Sequence, residues 1–300
     1  MRSENINHAF LDPVVAGEAV DVYYHFGVAS DDPALNSFDV KAVILAGSGD
    51  RIDRFASTWS AMNDGAEIIG LPKEERFTTR YCAGVLFASH GMGMPSASIA
   101  VQELMRMLYF LKRGDLDALD EVFWARVGTS GGVGLEGGTV VVTTEGVMAD
   151  LQPYRVLNGG MGEYWFDSTF PVDVVDAILA ANEGQGRRLM PGRTVAGNEF
   201  FLEQFRLDGA VCMETADTKM AWLEWIHDNG VRNIEMEGAM LAGYLNHWGF
   251  PKFAMICATL LNRLHGDQGI DRDPRAVAPV QRGCRGDALF AYLRATLLAP

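Results

Sequence analysis

Short runs in which nearly every residue is apolar or β-branched recur along the chain, several followed by a glycine-rich break and then by apolar residues at helical spacing. Val40 to Ala46 (VKAVILA) carries Val, Ile and Leu on both faces, as a strand covered on both sides does. It gives way to Gly47-Ser48-Gly49-Asp50-Arg51, after which Ile52, Phe55 and Trp59 recur at the spacing of a helix. Ala83 to His90 (AGVLFASH) is a second buried run. It opens through Gly91-Met92-Gly93-Met94 into Pro95, a residue suited to a first helical turn, and an apolar stripe of Ala100, Leu104, Leu108 and Leu111 runs to a stop at Arg113-Gly114. Glu121 to Ala125 predicts another buried strand and Gly138 to Thr144 a β-branched one. Val231 to Gly238 predicts a strand meeting a helix over 239–248, and Lys252 to Leu261 a last buried strand. Helices are predicted over 171–181, 217–229 and roughly 279–298. Residues 1–20 read as an extended lead-in, 145–170 as irregular and 183–198 as a surface loop, while Phe200 to Arg206 has the look of an amphipathic helix start. Strands alternating with helices, with no repeat or linker, predict an α/β fold in one domain over 21–300.

Composition narrows the function. Three hundred residues can bury a large core, and 48% hydrophobic with 21% charged residues is ordinary for a soluble globular protein. A net charge of −14 argues against non-specific binding to nucleic acid or to an anionic membrane. It leaves room for a small anion held by a local group of arginines. The start, MRSENINHAF, lacks the pattern of a signal peptide, and no apolar run reaches membrane-spanning length. Cys82, Cys212, Cys257 and Cys284 lie far apart without zinc spacing, so a reducing, cytoplasmic setting is expected and no metal site.

Candidate chemistry clusters at the breaks. Arg126-Val127-Gly128-Thr129-Ser130-Gly131-Gly132 reads as a strand end opening into a turn: a planar guanidinium, hydroxyls and bare backbone N–H groups suited to a small anion, or else a tight turn with a satisfied arginine. Gly47 to Arg51 offers the same ingredients at a helix start, or merely a solvated arginine. Glu235-Met236-Glu237 sets two acids where a strand meets a helix. Such a carboxylate accepts hydrogen bonds from sugar hydroxyls or caps the helix. His25, in Tyr24-His25-Phe26, reads by itself as a packed surface histidine.

The ordered set of these pieces resembles the nucleoside phosphorylase-I family, and within it the animal uridine phosphorylases. The matching text is YHF at 24–26, GSxxR at 47–51, TxRY at 78–81, SHGMGMPS at 89–96, RVGTSGGVGLEGGTVVVT at 126–143, EQFRLDGAVC at 203–212, GVRNIEMEG at 230–238 and TLLNRLHGDQ at 259–268. The resemblance implies a single-domain nucleoside phosphorylase-I fold, a central mixed β-sheet flanked by helices. It also implies a reaction, uridine plus phosphate giving uracil and ribose 1-phosphate, with phosphate as co-substrate and no cofactor or metal. Phosphate would be held by Gly47, Arg51, Arg126, Thr129 and Arg80, the last from a neighbouring subunit of a homodimer. Ribose would be held by Met236 and Glu237, with the neighbour's His25 near the 5′-hydroxyl. The base would be read by Gln204 and Arg206 beside Phe200, Ser130 and Gly131. Arg263 matches the arginine that favours pyrimidines, since purine-specific relatives carry a different sequence where this chain has Leu261-Asn262-Arg263. Arg126, Gln204 and Arg206 would act on the reacting groups.

The chain departs from the family in one place. The segment from Gly197-Asn198 to Gln204 is shorter than in relatives, and Phe205 stands where they carry a small or flexible residue. Two other readings accompany the phosphorylase: a nucleosidase using water in place of phosphate and, because of the shortened segment, a nucleoside-binding paralogue with weak or no turnover.

Overall fold

The computed structural model describes residues 2–184, 186, 188–265, 289, 290, 292 and 293. They fall into two compact units that change over between Arg126 and Val127, with His247–Phe253 returning to the first and Ala254 onward to the second.

In the first unit, helix α1 (His8–Val15) precedes the short strands β1 (Val22–Tyr23) and β2 (Val28–Ala29). Then come β3 (Ala42–Ala46), α2 (Gly49–Met62), β4 (Ile69–Gly70), β5 (Thr79–Cys82), β6 (Val85–Ser89), α3 (Met94–Leu111) and α4 (Leu116–Asp120). Strand β7 (Phe123–Gly132) starts in this unit and carries the chain into the next. β3 is buried throughout, as its two-faced apolar run predicts. It pairs in parallel with β6 and with the start of β7; β5 runs antiparallel to β6, and β4 to β5.

In the second unit, β8 (Val140–Val147), the hairpin of β9 (Arg155–Leu157) and β10 (Glu163–Trp165), α5 (Val172–Ala181), β11 (Leu189–Ala196), α6 (Ala216–Asp228), β12 (Val231–Glu235), α7 (Gly238–Trp248) and β13 (Phe253–Asn262) follow in order. β11 lies between β12 and β8, parallel to both; β13 is antiparallel to β8, and the end of β7 to β12. Val133, Val147, Val195, Leu223, Ile226 and Ile234 form the core behind them. The mixed pairing and flanking helices are those of the expected α/β class.

Several local expectations are corrected. Residues 1–20 contain α1, whose buried Leu11 and Val14 an extended reading leaves unused. Residues 145–170 hold the rest of β8 and the hairpin β9–β10. The segment 183–198 contains β11 despite Pro191 and Gly192: the register shifts between Gly192 and Arg193, and Gly192 leaves room for Arg232, whose Cγ a Cβ there would meet at 2.4 Å. Phe200 to Arg206 is a turn. The glycine-rich run after Arg126 does not leave its strand, because Gly131 and Gly132 pair with Ile234 and Asn233. Arg126 is therefore mid-strand rather than at a strand end. The predicted helix at 279–298 and Cys284 lie largely or wholly outside the described residues.

Candidate functional site

In the first unit the carboxyl ends of the parallel strands β3 and β6 meet two helix starts beside the middle of β7. Leu45 of β3 is in register with Arg126 of β7 and Ala46 with Ser89 of β6, and the His90 N–H donates to Ala46 O at 2.9 Å. β3 runs through Gly47 and Ser48 into α2, where Arg51 sits in the first turn; β6 runs through Gly91 and Gly93 into α3. Backbone N–H groups at such ends, with two guanidinium groups on the same elements, form an environment for an anion. Arg126 is buried at 6% exposure, and its Nε donates to His90 Nε2 at 3.3 Å. Ser96 Oγ in turn donates to His90 O at 2.7 Å. His90 is a site residue that sequence reasoning missed, although it stands inside the SHGMGMPS text. Glycine is required nearby: at φ +72° in Gly91, a Cβ would lie 2.4 Å from Ser96 Oγ.

Arg80 and His25 belong to the same unit, and both have partners in their own chain. Arg80 Nε pairs with Asp53 Oδ1 at 2.9 Å and its Nη1 with Glu74 Oε1. His25 Nδ1 lies 2.7 Å from Glu103 Oε1, and the His25 N–H donates to Glu103 Oε2 at 3.0 Å. Glu103 is buried beside Arg106, which pairs with Asp21 at 3.2 Å. Burial pushes the Asp21 carboxyl above its ordinary range, against the pull of Arg106 and with a push from Glu103. Burial also raises the neighbouring Tyr23 phenol well above its usual value.

In the second unit the ends of β11, β12 and β7 come together. Ala196 is in register with Glu235 and Ile234 with Gly131. The Gly197 N–H donates to Glu235 O at 2.9 Å, so the segment carrying Gln204 leaves β11 beside the segment carrying Met236 and Glu237. Ser130 is held from behind by a buried chain of hydrogen bonds: Asn233 Nδ2 donates to Ser130 Oγ at 2.9 Å, Thr194 Oγ1 to Asn233 Oδ1 at 2.7 Å, and Thr143 lies 2.8 Å from Thr194. Asn233 was not singled out from the sequence, since a polar residue inside a strand reads equally well as solvated. Glu235 caps the start of α7: its carboxylate accepts from the Glu237 N–H at 2.9 Å and the Gly238 N–H at 2.8 Å, and Glu237 beside it is also buried.

Gln204 is 5% exposed, and its Nε2 has no hydrogen-bond acceptor among the described residues. Such a buried amide N–H is costly unless something accepts from it. Arg206 lies with its guanidinium 4.4 Å from the centre of the half-exposed Phe200 ring and forms a pair with Asp208. Arg206 sets a guanidinium against an aromatic face, and Gln204 two residues before it carries an amide donor, groups of the kind suited to a flat ring bearing carbonyl oxygens. Arg263 follows β13, and its N–H donates to Gly132 O at 2.7 Å. Thr129 is half-buried in β7. Among the described residues no group of three or more His, Cys, Asp or Glu is arranged to hold a metal ion.

The sequence pattern of the phosphorylase superfamily matches residues 41–282. Uridine phosphorylase 1 of Mus musculus is 34% identical over 279 residues, covering 86% of this chain and 83% of its own. Inactive uridine phosphorylase B of Schistosoma mansoni is 31% identical over 258 residues, covering 83% of each chain. Among solved structures, uridine phosphorylase from Schistosoma mansoni in complex with uracil superposes with a TM-score of 0.83 at 29% identity, covering 97% of this chain and 98% of that one.

Proposed function

The chain belongs to the phosphorylase superfamily, and from that premise we propose that it is a uridine phosphorylase, converting uridine and phosphate to uracil and ribose 1-phosphate. The observation that carries this reading is the buried Gln204 amide with an unused donor, two residues from Arg206. A uracil carbonyl supplies the missing acceptor.

In this mechanism the C1′–N1 bond of uridine breaks, its electrons pass to the uracil ring, and a phosphate oxygen bonds to C1′ of the oxocarbenium-like sugar. Arg126, Arg51, Thr129 and the Gly47 backbone hold phosphate, with Arg80 supplied by a second subunit. Gln204 and Arg206 donate to the uracil oxygens where negative charge develops, beside Phe200, Ser130 and Gly131; Arg263 favours a pyrimidine. Met236 and Glu237 hold the ribose, and a neighbour's His25, oriented by Glu103, meets its 5′-hydroxyl. Catalysis is positioning plus electrostatic stabilisation. Residues 21–300 act as one catalytic domain in a cytoplasmic homodimer that uses no cofactor besides its co-substrate.

Uracil release from uridine, measured with and without phosphate, tests the proposal. Phosphate-dependent release supports it, and phosphate-independent release supports a nucleosidase. A second reading, a nucleoside-binding paralogue, is favoured by one observation: a relative named an inactive uridine phosphorylase is nearly as similar as one named uridine phosphorylase 1. Binding of uridine without release would establish it.

A further inference from the structure

The turn that carries Gln204 and Arg206 contains a residue whose backbone is in the wrong region for its side chain. Phe205 has φ +52°, in the left-handed region where glycine is at ease and a bulky residue is strained. The hydrogen bonds explain the conformation. The Phe205 N–H donates to Leu202 O at 3.1 Å and the Arg206 N–H to Phe201 O at 2.9 Å. This nested pair is the closure that ends many helices, and it places Phe205 at the position glycine usually fills. A backbone requirement alone would be met better by glycine, so the phenyl ring must be compensated by its contacts.

Those contacts are specific. The Phe205 ring stacks on Trp222 of α6, with centroids 4.6 Å apart and planes within 10°. Trp222 is itself fixed, its Nε1 donating to Ala149 O at 3.1 Å, and Phe205 packs on the core cluster around Leu223 and Ile226. On either side of this anchor, Gln204 lies against Gly197, where a Cβ would come within 3.0 Å of Gln204 Cγ, and Arg206 Nε donates to Asp208 Oδ1 at 2.9 Å. Glu199 accepts from the Phe201 N–H at 2.7 Å, and Glu203 from the Asn198 N–H at 2.6 Å, so the short segment satisfies its own backbone.

We propose that Phe205 is a positioning residue: stacked on Trp222, it pins the turn so that Gln204 and Arg206 are held in one arrangement for a flat carbonyl-bearing base. The proposal rests on the uridine phosphorylase reading for the identity of that base. Preorganisation of this kind lowers the ordering cost of binding and does not itself touch the ligand.

The test compares the parent with Phe205→Gly, Phe205→Tyr and Trp222→Leu. Uracil affinity is read by calorimetry, and the KM for uridine and for phosphate by uracil release. Phe205→Gly, which relieves the backbone strain and removes the stack, is expected to weaken uracil binding and raise the uridine KM at least tenfold. The phosphate KM should stay within about twofold. Phe205→Tyr, which keeps the stack, should restore uracil affinity to within about threefold of the parent. Trp222→Leu should reproduce the glycine variant from the other side of the stack. A general loss of structure would move both KM values together. That outcome, or uracil affinity in Phe205→Gly within twofold of the parent, would overturn the positioning role. A parent that binds uracil but releases none refutes the phosphorylase reading alone, since the affinity comparison still decides the role of Phe205. A parent that neither binds nor releases uracil overturns both.

Discussion

Glu235 and Glu237 stand two residues apart at one strand-to-helix junction, both buried. Glu235 accepts two backbone N–H groups at the start of α7. Removing that carboxylate with Glu235→Ala leaves buried donors unsatisfied and should cost about 2 kcal/mol of stability, read as a fall in Tm. Glu237→Gln should instead leave Tm nearly unchanged and reduce turnover of uridine. A variant with the opposite pattern would reverse the two assignments. Arg126 is tested in the same way. Its Nε is held by His90, which follows β6 at the strand ends where phosphate is proposed to sit. Arg126→Ala should lower kcat/KM by about 3 kcal/mol, roughly a hundredfold, as expected when a charge-assisted donor at a developing charge is lost. Full activity in the folded variant would dismiss the phosphate assignment.

At the scale of elements, the glycines of β7 are where backbone approaches backbone. A Cβ on Gly132 would lie 2.7 Å from Leu135 O and 2.9 Å from Leu261 O, both main-chain atoms that cannot swing away. Gly132→Ala should therefore destabilise by about 1–3 kcal/mol, as overpacking does, with a lower Tm as the measurement. The same glycines show what the sequence made legible and what it did not. Glycine, threonine and serine after Arg126 predict a turn, whereas the run stays in its strand, because composition cannot say whether the group approaching the backbone is a ligand or another strand. The pairing of Gly131 with Ile234 lies a hundred residues away in the chain and leaves no local trace. Likewise β11 was hidden because Pro191 and Gly192 are strand breakers by local rule, and long-range pairing with β8 and β12 overrides that rule. The strands β3 and β6 and the helices α2, α3, α6 and α7 were readable because their apolar periodicity and stop signals are local. His90 and Asn233 were missed for a related reason: each acts by holding another residue, and nothing local records a partner.

For the molecule as a whole, two expectations concern assembly and pH. If Arg80 completes a site in the neighbouring subunit, co-expressed and tag-verified mixed dimers of Arg80→Ala with Arg126→Ala should regain activity that neither parent has. Each mixed dimer then contains one site with both lesions and one with neither. Mixed dimers as inactive as both parents would confine Arg80 to its own chain, where Asp53 and Glu74 already pair with it. The pH expectation follows from Asp21, whose carboxyl is raised by burial in the folded protein. The folded state then binds its proton more tightly than the unfolded state does. Stability from this group is present below the ordinary carboxylate range and is lost as pH rises through the folded value. Asp21→Asn should remove that decline, so the Tm of the parent should fall relative to the variant over this interval; a difference independent of pH would refute the assignment. The central claim, phosphorolysis, is tested most directly by following uridine and inorganic phosphate with the protein by phosphorus NMR. The account predicts a ribose 1-phosphate signal growing in step with released uracil, and inorganic phosphate falling by the same amount. Uracil appearing with free ribose while phosphate stays constant, or uridine remaining intact, would contradict it.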